Sequence, residues 1–206
     1  DYMKFNLPTK LTFLRLILSL VIIILLLFPF YRLGIEFPSF LYHNILVDLR
    51  YIIAGILFVF ASYTDYLDGK MARKNNQVTE FGKFIDAIAD KVLVNSVLVI
   101  FAAHGFIPAI VPVVIVTRDI IVDAIRMTCA NKGKVIAAKT SGKIKTACLM
   151  IGIILTFIYN LPFELYGIQV SKFFLYFGTI MAIASGIEYY KLNKQNIFSE
   201  TKEEIL

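Results

Sequence analysis

Charge is scarce in this chain: 17% of its 206 residues are Asp, Glu, Lys or Arg, against 58% that are hydrophobic. With a mean hydropathy of +0.74, that scarcity excludes an ordinary soluble domain and puts the membrane class first. Cysteine is rarer still. Cys129 and Cys148 make neither a disulfide framework nor a metal-ligand spacing, and read as small core residues. The two histidines, His43 and His104, fall near the outer ends of apolar runs and read as interfacial. No small-x-small cleavage site follows the first apolar run, "LILSLVIIILLLF", so it reads as a retained helix rather than a signal peptide. Met3 reads as the native start. No internal repeat or low-complexity segment is visible, which argues against a transporter built from paired halves with broken helices.

What the chain does have is six apolar runs, at roughly 11–30, 50–73, 81–104, 108–130, 142–161 and 170–191. A spanning helix needs about 20 largely apolar residues. The expected fold is therefore an all-α integral membrane protein, one domain over residues 1–206. It has six transmembrane helices, a juxtamembrane segment at 3–10 and a cytoplasmic tail at 192–206. The first and last runs are clean. The middle four carry polar residues near one end, as helices lining a polar cavity would. Lys and Arg gather at the N-terminus (Lys4, Lys10, Arg15), around the second connection (Lys70, Arg73, Lys74, Lys83) and around the fourth (Lys132, Lys134, Lys139, Lys143, Lys145). The positive-inside rule then places both termini, those connections and the cavity mouth in the cytoplasm. The net charge of +6 is mostly this bias and calls for no nucleic-acid partner.

The stretch "TDYLDGKMARKNNQVTEFGKFIDAIADK" sets four aspartates between two apolar runs. Asp65 and Asp68 are three apart and Asp86 and Asp90 four apart, so each pair shares a helix face. If one helix ends near Lys74 and the next begins near Glu80, Asp65 and Asp68 lie about 13 and 9 Å in, and Asp86 and Asp90 about 9 and 15 Å. Antiparallel packing then sets Asp68 against Asp86, with Asp65 and Asp90 one layer deeper. Four anions in a partly dry pocket repel unless neutralised. Magnesium or manganese suits such oxygen ligands, and four carboxylates suffice for two ions. Gly69, Gly82 and small Ala72 leave room for a ligand, and Arg73 could meet phosphate oxygens. A buried acid–base network or a proton relay would use the same residues.

Those residues match the pattern D-x2-D-G-x2-A-R-x8-G-x3-D-x3-D at all eight fixed positions: Asp65, Asp68, Gly69, Ala72, Arg73, Gly82, Asp86 and Asp90. This resembles the signature of the CDP-alcohol phosphatidyltransferase family. "NLPTKLTFLR", with Asn6, Pro8, Thr12 and Arg15, is similar to the family's N-terminal part. The resemblance implies that Asp65, Asp68 and Asp86 ligate two divalent ions, Mg2+ or Mn2+, with Asp90 near one of them. It implies that Asp90 is the general base, and that Gly69, Ala72, Arg73 and Gly82 shape the site for the CDP-linked lipid. It also implies a homodimer in a cell membrane, of bacterial type.

A second stretch, "TRDIIVDAIRMTCANKGKVIAAKTSGKIKT", bears on the acceptor. Arg118 and Arg126 are eight apart and share a face. Arg118 lies about 18 Å from the end of its helix, deep enough to need a partner. Asp119 and Asp123 do not obviously share its face. Lys139 precedes the fifth run, and Lys143 and Lys145 open it. Lys132 and Lys134 read as inside bias. An acceptor carrying its own phosphate would account for Arg118, Arg126, Lys139, Lys143 and Lys145. Glycerol 3-phosphate and inositol phosphate both qualify. The spacing of Arg118-Asp119, Arg126 and "GKIKT" resembles the family branch that uses CDP-diacylglycerol and glycerol 3-phosphate. That branch more often has Glu where Asp119 stands. The shorter side chain leaves Asp119 outside the expected site. A sister phosphotransferase using another alcohol stays open, as does an acid-lined ion transporter.

Overall fold

In the computed structural model, residues 7–43, 45–74, 80–132 and 140–198 are described; positions 7, 8, 66, 68–74, 80, 81, 83 and 196–198 among them are described for backbone alone. Six helices stand where the six apolar runs predict them. They are α1 (Leu7–Leu27), α2 (Leu49–Lys74), α3 (Glu80–Ala103), α4 (Ile110–Asn131), α5 (Thr140–Phe157) and α6 (Val170–Phe198). Among the described residues, three stretches are long and apolar enough to cross a membrane by themselves: Thr9–Leu27, Thr140–Phe157 and Val170–Gln195. The other three helices carry Asp65 and Asp68, Asp86 to Lys91, and Arg118 to Asp123, which dilute their apolar character.

The expectation of a purely helical chain needs one correction. Between α1 and α2 lies a small antiparallel hairpin, β1 (Ser39–Tyr42) with β2 (Ile45–Asp48), in the register Ser39↔Asp48 to Tyr42↔Ile45. The turn begins at His43 with φ 43°. Pairing the strands gives backbone N–H and C=O groups of this segment partners within the chain. Asp48 anchors the hairpin. Its N–H donates to the Tyr159 hydroxyl at 3.0 Å, and Arg50 Nη2 donates to its carboxylate at 2.5 Å. Nearby, Tyr51 hydrogen-bonds His104, which fixes that histidine at the end of the bundle away from the aspartates.

α1 packs against α2 and α3, α6 against α5 and α4, and α2 meets α5 between the two groups. Phe101 and Phe58 close on Phe157 at that meeting, with ring centroids 4.8 and 5.7 Å away. α5 packs tightly on α6 at Gly152, where a Cβ would stand 2.6 Å from Leu175 Cγ, closer than side chains approach without something shifting. The outer surface carries many large apolar side chains, and several polar side chains lie inside. Ile17, Leu20 and Ile24 of α1 and Phe173, Ile180 and Ile187 of α6 are exposed, while Thr12, Arg15 and Ser19 are buried. Such a surface suits lipid. Ser19, Thr156 and Thr179 hydroxyls donate to carbonyls four residues back, at 2.7 to 2.8 Å, which settles them in a dry interior.

Candidate active site

α2 ends at Lys74 and α3 begins at Glu80, the boundaries from which the aspartate depths were gauged. Asp65 and Asp86 converge on an unexpected residue. Arg15 of α1 is fully buried, and its Nη1 lies 2.7 Å from Asp65 Oδ1 and 2.8 Å from Asp86 Oδ1. One guanidinium nitrogen thus gathers carboxylates from two helices. Asp65, Arg15, Asp86, Lys145 and Lys91 all interact electrostatically with Asp90. Asp68, Gly69, Ala72 and Arg73 occupy the last turns of α2, and their side chains lie outside the described positions. Gly82 sits in the first turn of α3. Among the described residues no three His, Cys, Asp or Glu side chains form a metal-sized group. The donor set nevertheless suits a hard ion: carboxylate oxygens from two helices within reach of one cationic point.

In the sequence Arg15 stood out as part of the N-terminal charge and of the family-like "NLPTKLTFLR" segment, with no partner assigned. The missed signal was its depth, eight residues inside α1 and so about 12 Å from its start, where a cation needs a partner.

The second site is a cleft of about 530 Å³ between α3, α4, α5 and α6. Asp90 of α3, Arg118 and Arg126 of α4, and Lys143 and Lys145 of α5 line it, so the expected base and four of the five expected acceptor cations face one cleft. Lys139 lies outside the described residues. Asp119, excluded on the sequence, is also in the cleft. Its Oδ1 accepts from Arg118 Nη1 at 3.0 Å and from Lys145 Nζ at 2.8 Å. Neighbours on a helix diverge, but the long arginine reaches back over the turn to its own neighbour. Lys145 is only 8% exposed, so this carboxylate compensates a buried ammonium. Asp123 pairs with Lys91, the residue after Asp90, and ties α4 to α3. Arg118 Nη2 donates to Ser185 Oγ of α6 at 2.8 Å. The fork expected to face a phosphate therefore has one bond from each terminal nitrogen committed to protein, while its buried Nε has no bond among the described residues. Arg126 and Lys143 are exposed along the cleft.

Comparison with known proteins gives this arrangement its family. The model of the CDP-alcohol phosphatidyltransferase family matches residues 5–184. CDP-diacylglycerol–glycerol-3-phosphate 3-phosphatidyltransferase of Bacillus subtilis is 38% identical over 191 residues, 92% of this chain and 95% of that protein. The Haemophilus influenzae protein of the same name is 34% identical over 200 residues, 95% of this chain and 97% of that one. Among solved structures, phosphatidylinositol phosphate synthase of Mycobacterium tuberculosis in apo form superimposes with a TM-score of 0.62 at 14% identity, covering 95% of this chain and 94% of that one, a likeness of fold. The chain belongs to the CDP-alcohol phosphatidyltransferase family. It is a phosphatidyltransferase of phospholipid biosynthesis, with the apolar helices of a membrane enzyme.

Proposed function

We propose that this enzyme transfers the phosphatidyl group of CDP-diacylglycerol to glycerol 3-phosphate, giving phosphatidylglycerophosphate and CMP. Its relatives carry that substrate pair in their names. The observation that carries the reading is the shared cleft. Asp90 lines the same cleft as Arg118, Arg126, Lys143 and Lys145, so a phosphate held by the cations would leave its alcohol beside a carboxylate. Six helices crossing the membrane, with the cleft toward the cytoplasm, complete the picture.

In this reading Asp65, Asp68 and Asp86, with Asp90 alongside, hold two divalent ions, Mg2+ or Mn2+. When bound, these supply positive charge to the diphosphate of the lipid donor. Arg15 balances Asp65 and Asp86 from behind. Gly69, Ala72, Arg73 and Gly82 frame the cytidine end. Arg126, Lys143, Lys145 and the remaining donors of Arg118 grip the acceptor phosphate by charge-assisted hydrogen bonds. Asp90 takes the proton of the acceptor hydroxyl. The alcohol oxygen bonds to the phosphorus bearing the diacylglycerol, the bond from that phosphorus to CMP breaks, and CMP leaves with the electron pair. The whole chain acts as one membrane domain, and as a homodimer.

The test is turnover by purified full-length protein given CDP-diacylglycerol, divalent metal and a panel of glycerol 3-phosphate, glycerol, inositol phosphate, inositol and serine. CMP release and a new phospholipid are expected with glycerol 3-phosphate and scarcely with glycerol. Preference for any other alcohol would replace the acceptor. No CMP with any acceptor would remove the transfer reading.

A further inference from the structure

Phosphoryl transfer calls for nothing from α6, yet its inner face is polar where it meets α4. Ser185 and Tyr189 are four apart and stand one turn above the other. They are 0% and 2% exposed. Ser185 Oγ accepts from Arg118 Nη2 at 2.8 Å and donates to the Ala182 carbonyl at 3.0 Å. The Tyr189 hydroxyl oxygen accepts from Arg126 Nη2 at 2.9 Å. The ring of Tyr189 also lies against both guanidiniums, whose central carbons are 5.8 Å (Arg118) and 5.2 Å (Arg126) from its centroid. Between the two, Gly186 admits the stem of Arg118: a Cβ there would stand 3.3 Å from Arg118 Cγ, tighter than an ordinary contact.

Two guanidiniums on one ring repel each other, and bringing them together is unfavourable without an anion to share. The ring face and the phenolic oxygen reduce that repulsion and fix the directions of both groups. Asp119 binds Arg118. Arg126 is exposed to the cleft while tethered at one nitrogen. The pair is thus held at a set spacing with its open side toward the cavity that Asp90 lines.

We propose that Tyr189, supported by Ser185, is a positioning residue of the acceptor site, holding Arg118 and Arg126 as a fixed pair that meets one phosphate group. This rests on the acceptor reading above and names a residue on which that site depends. Fixing the pair beforehand spares the ordering of two long side chains when the phosphate binds. It also directs that binding energy toward orienting the hydroxyl.

The test uses full-length protein in detergent or nanodiscs, comparing native with Tyr189→Phe, Tyr189→Leu and, as a control on the lipid-facing side, Tyr190→Phe. Glycerol 3-phosphate and inorganic phosphate are titrated calorimetrically, CDP-diacylglycerol affinity is measured separately, and acceptor KM and kcat are taken from CMP release. Tyr189→Phe keeps the ring and loses the hydroxyl. It should weaken binding of both phosphate probes about tenfold, the worth of a hydrogen bond to a charged group. Tyr189→Leu should weaken it by about a further threefold to tenfold, since the ring contacts go too. CDP-diacylglycerol affinity should stay at the native value throughout, and Tyr190→Phe should match native. Native phosphate affinity in both Tyr189 variants would overturn the proposal. So would losses of phosphate and CDP-diacylglycerol affinity that track a falling thermal midpoint, which would make Tyr189 a packing residue. If the native enzyme uses another alcohol, the acceptor reading falls, and the inorganic phosphate titration still decides the role of Tyr189.

Discussion

Lys145 of α5 donates to Asp119 Oδ1 of α4 at 2.8 Å, and the same oxygen receives Arg118 Nη1 at 3.0 Å. A single carboxylate oxygen therefore organises two cations of the acceptor cleft. With both side chains of the Lys145 pair about nine-tenths buried, removing the anion leaves uncompensated charge. Asp119→Asn should lower stability by about 3 kcal/mol, the scale for breaking one side of a buried pair, and raise acceptor KM. Asp119→Glu should recover much of both. Thermal unfolding and acceptor kinetics on the two variants check this, and native behaviour of Asp119→Asn would refute it.

Arg15 gives a metal-linked prediction. It stands against two carboxylates that the proposed ions would also neutralise. Arg15→Met should lower the thermal midpoint in chelator, and added Mg2+ should recover more stability in the variant than in the native protein. The scale is RT ln(1 + [Mg2+]/Kd), provided that the ion binds only the folded chain. An equal drop with and without Mg2+ would separate Arg15 from the metal site.

Arg118 should behave differently from Arg126 and Lys143. Lys143 and Arg126 are exposed along the cleft, so Lys143→Ala and Arg126→Ala should raise acceptor KM and leave CDP-diacylglycerol affinity near native. Arg118 spans Asp119 and Ser185 with separate nitrogens. Arg118→Lys should rescue Arg118→Ala poorly, because one ammonium cannot hold both ends of that span. Unchanged acceptor kinetics in the three alanine variants would leave these cations obeying only the positive-inside rule.

At the far end of the bundle, Asp48 carries a pH dependence. Burial raises its pKa, but the hydrogen bonds and charge of Arg50 outweigh burial and hold it below the ordinary 3.8. A depressed carboxylate contributes stability that is present above the unfolded value and lost as pH falls through the folded one. The thermal midpoint of the native protein should exceed that of Asp48→Asn at neutral pH, and the gap should close below pH 3.8. A gap that persists unchanged at low pH would contradict the pairing.

Much of this was written in the chain. The six helices were legible because each coincides with a long apolar run, and the charges of α2, α3 and α4 marked their polar ends. Asp65, Asp86 and Asp90 were legible because turn-spaced carboxylates in an apolar chain need a reason. What the sequence hid was carried by tertiary contact. Nothing in the spacing links Arg15 to Asp65 and Asp86, which lie on other helices. Ser185 and Tyr189 looked like ordinary residues of an apolar helix until α4 was set against them. Asp119 was left out because its side chain is shorter than the Glu of the resembling branch and did not obviously share the face of Arg118, a reading that ignored the reach of the arginine and of Lys145. The hairpin at Ser39–Asp48 lacked the glycine-bearing turn that usually announces one.

The central claim is direct transfer to the acceptor hydroxyl beside Asp90. The measurement that tests it most directly supplies glycerol 3-phosphate labelled with 18O in the primary hydroxyl, together with CDP-diacylglycerol, metal and purified enzyme, and follows the label by mass spectrometry. The account predicts that CMP release requires the acceptor and that all the label stays in the phosphatidyl product, with none in CMP. It further predicts that Asp90→Asn slows this release by about 10² to 10⁴ while still binding CDP-diacylglycerol. CMP release without acceptor, label in CMP, or native turnover by Asp90→Asn would contradict it.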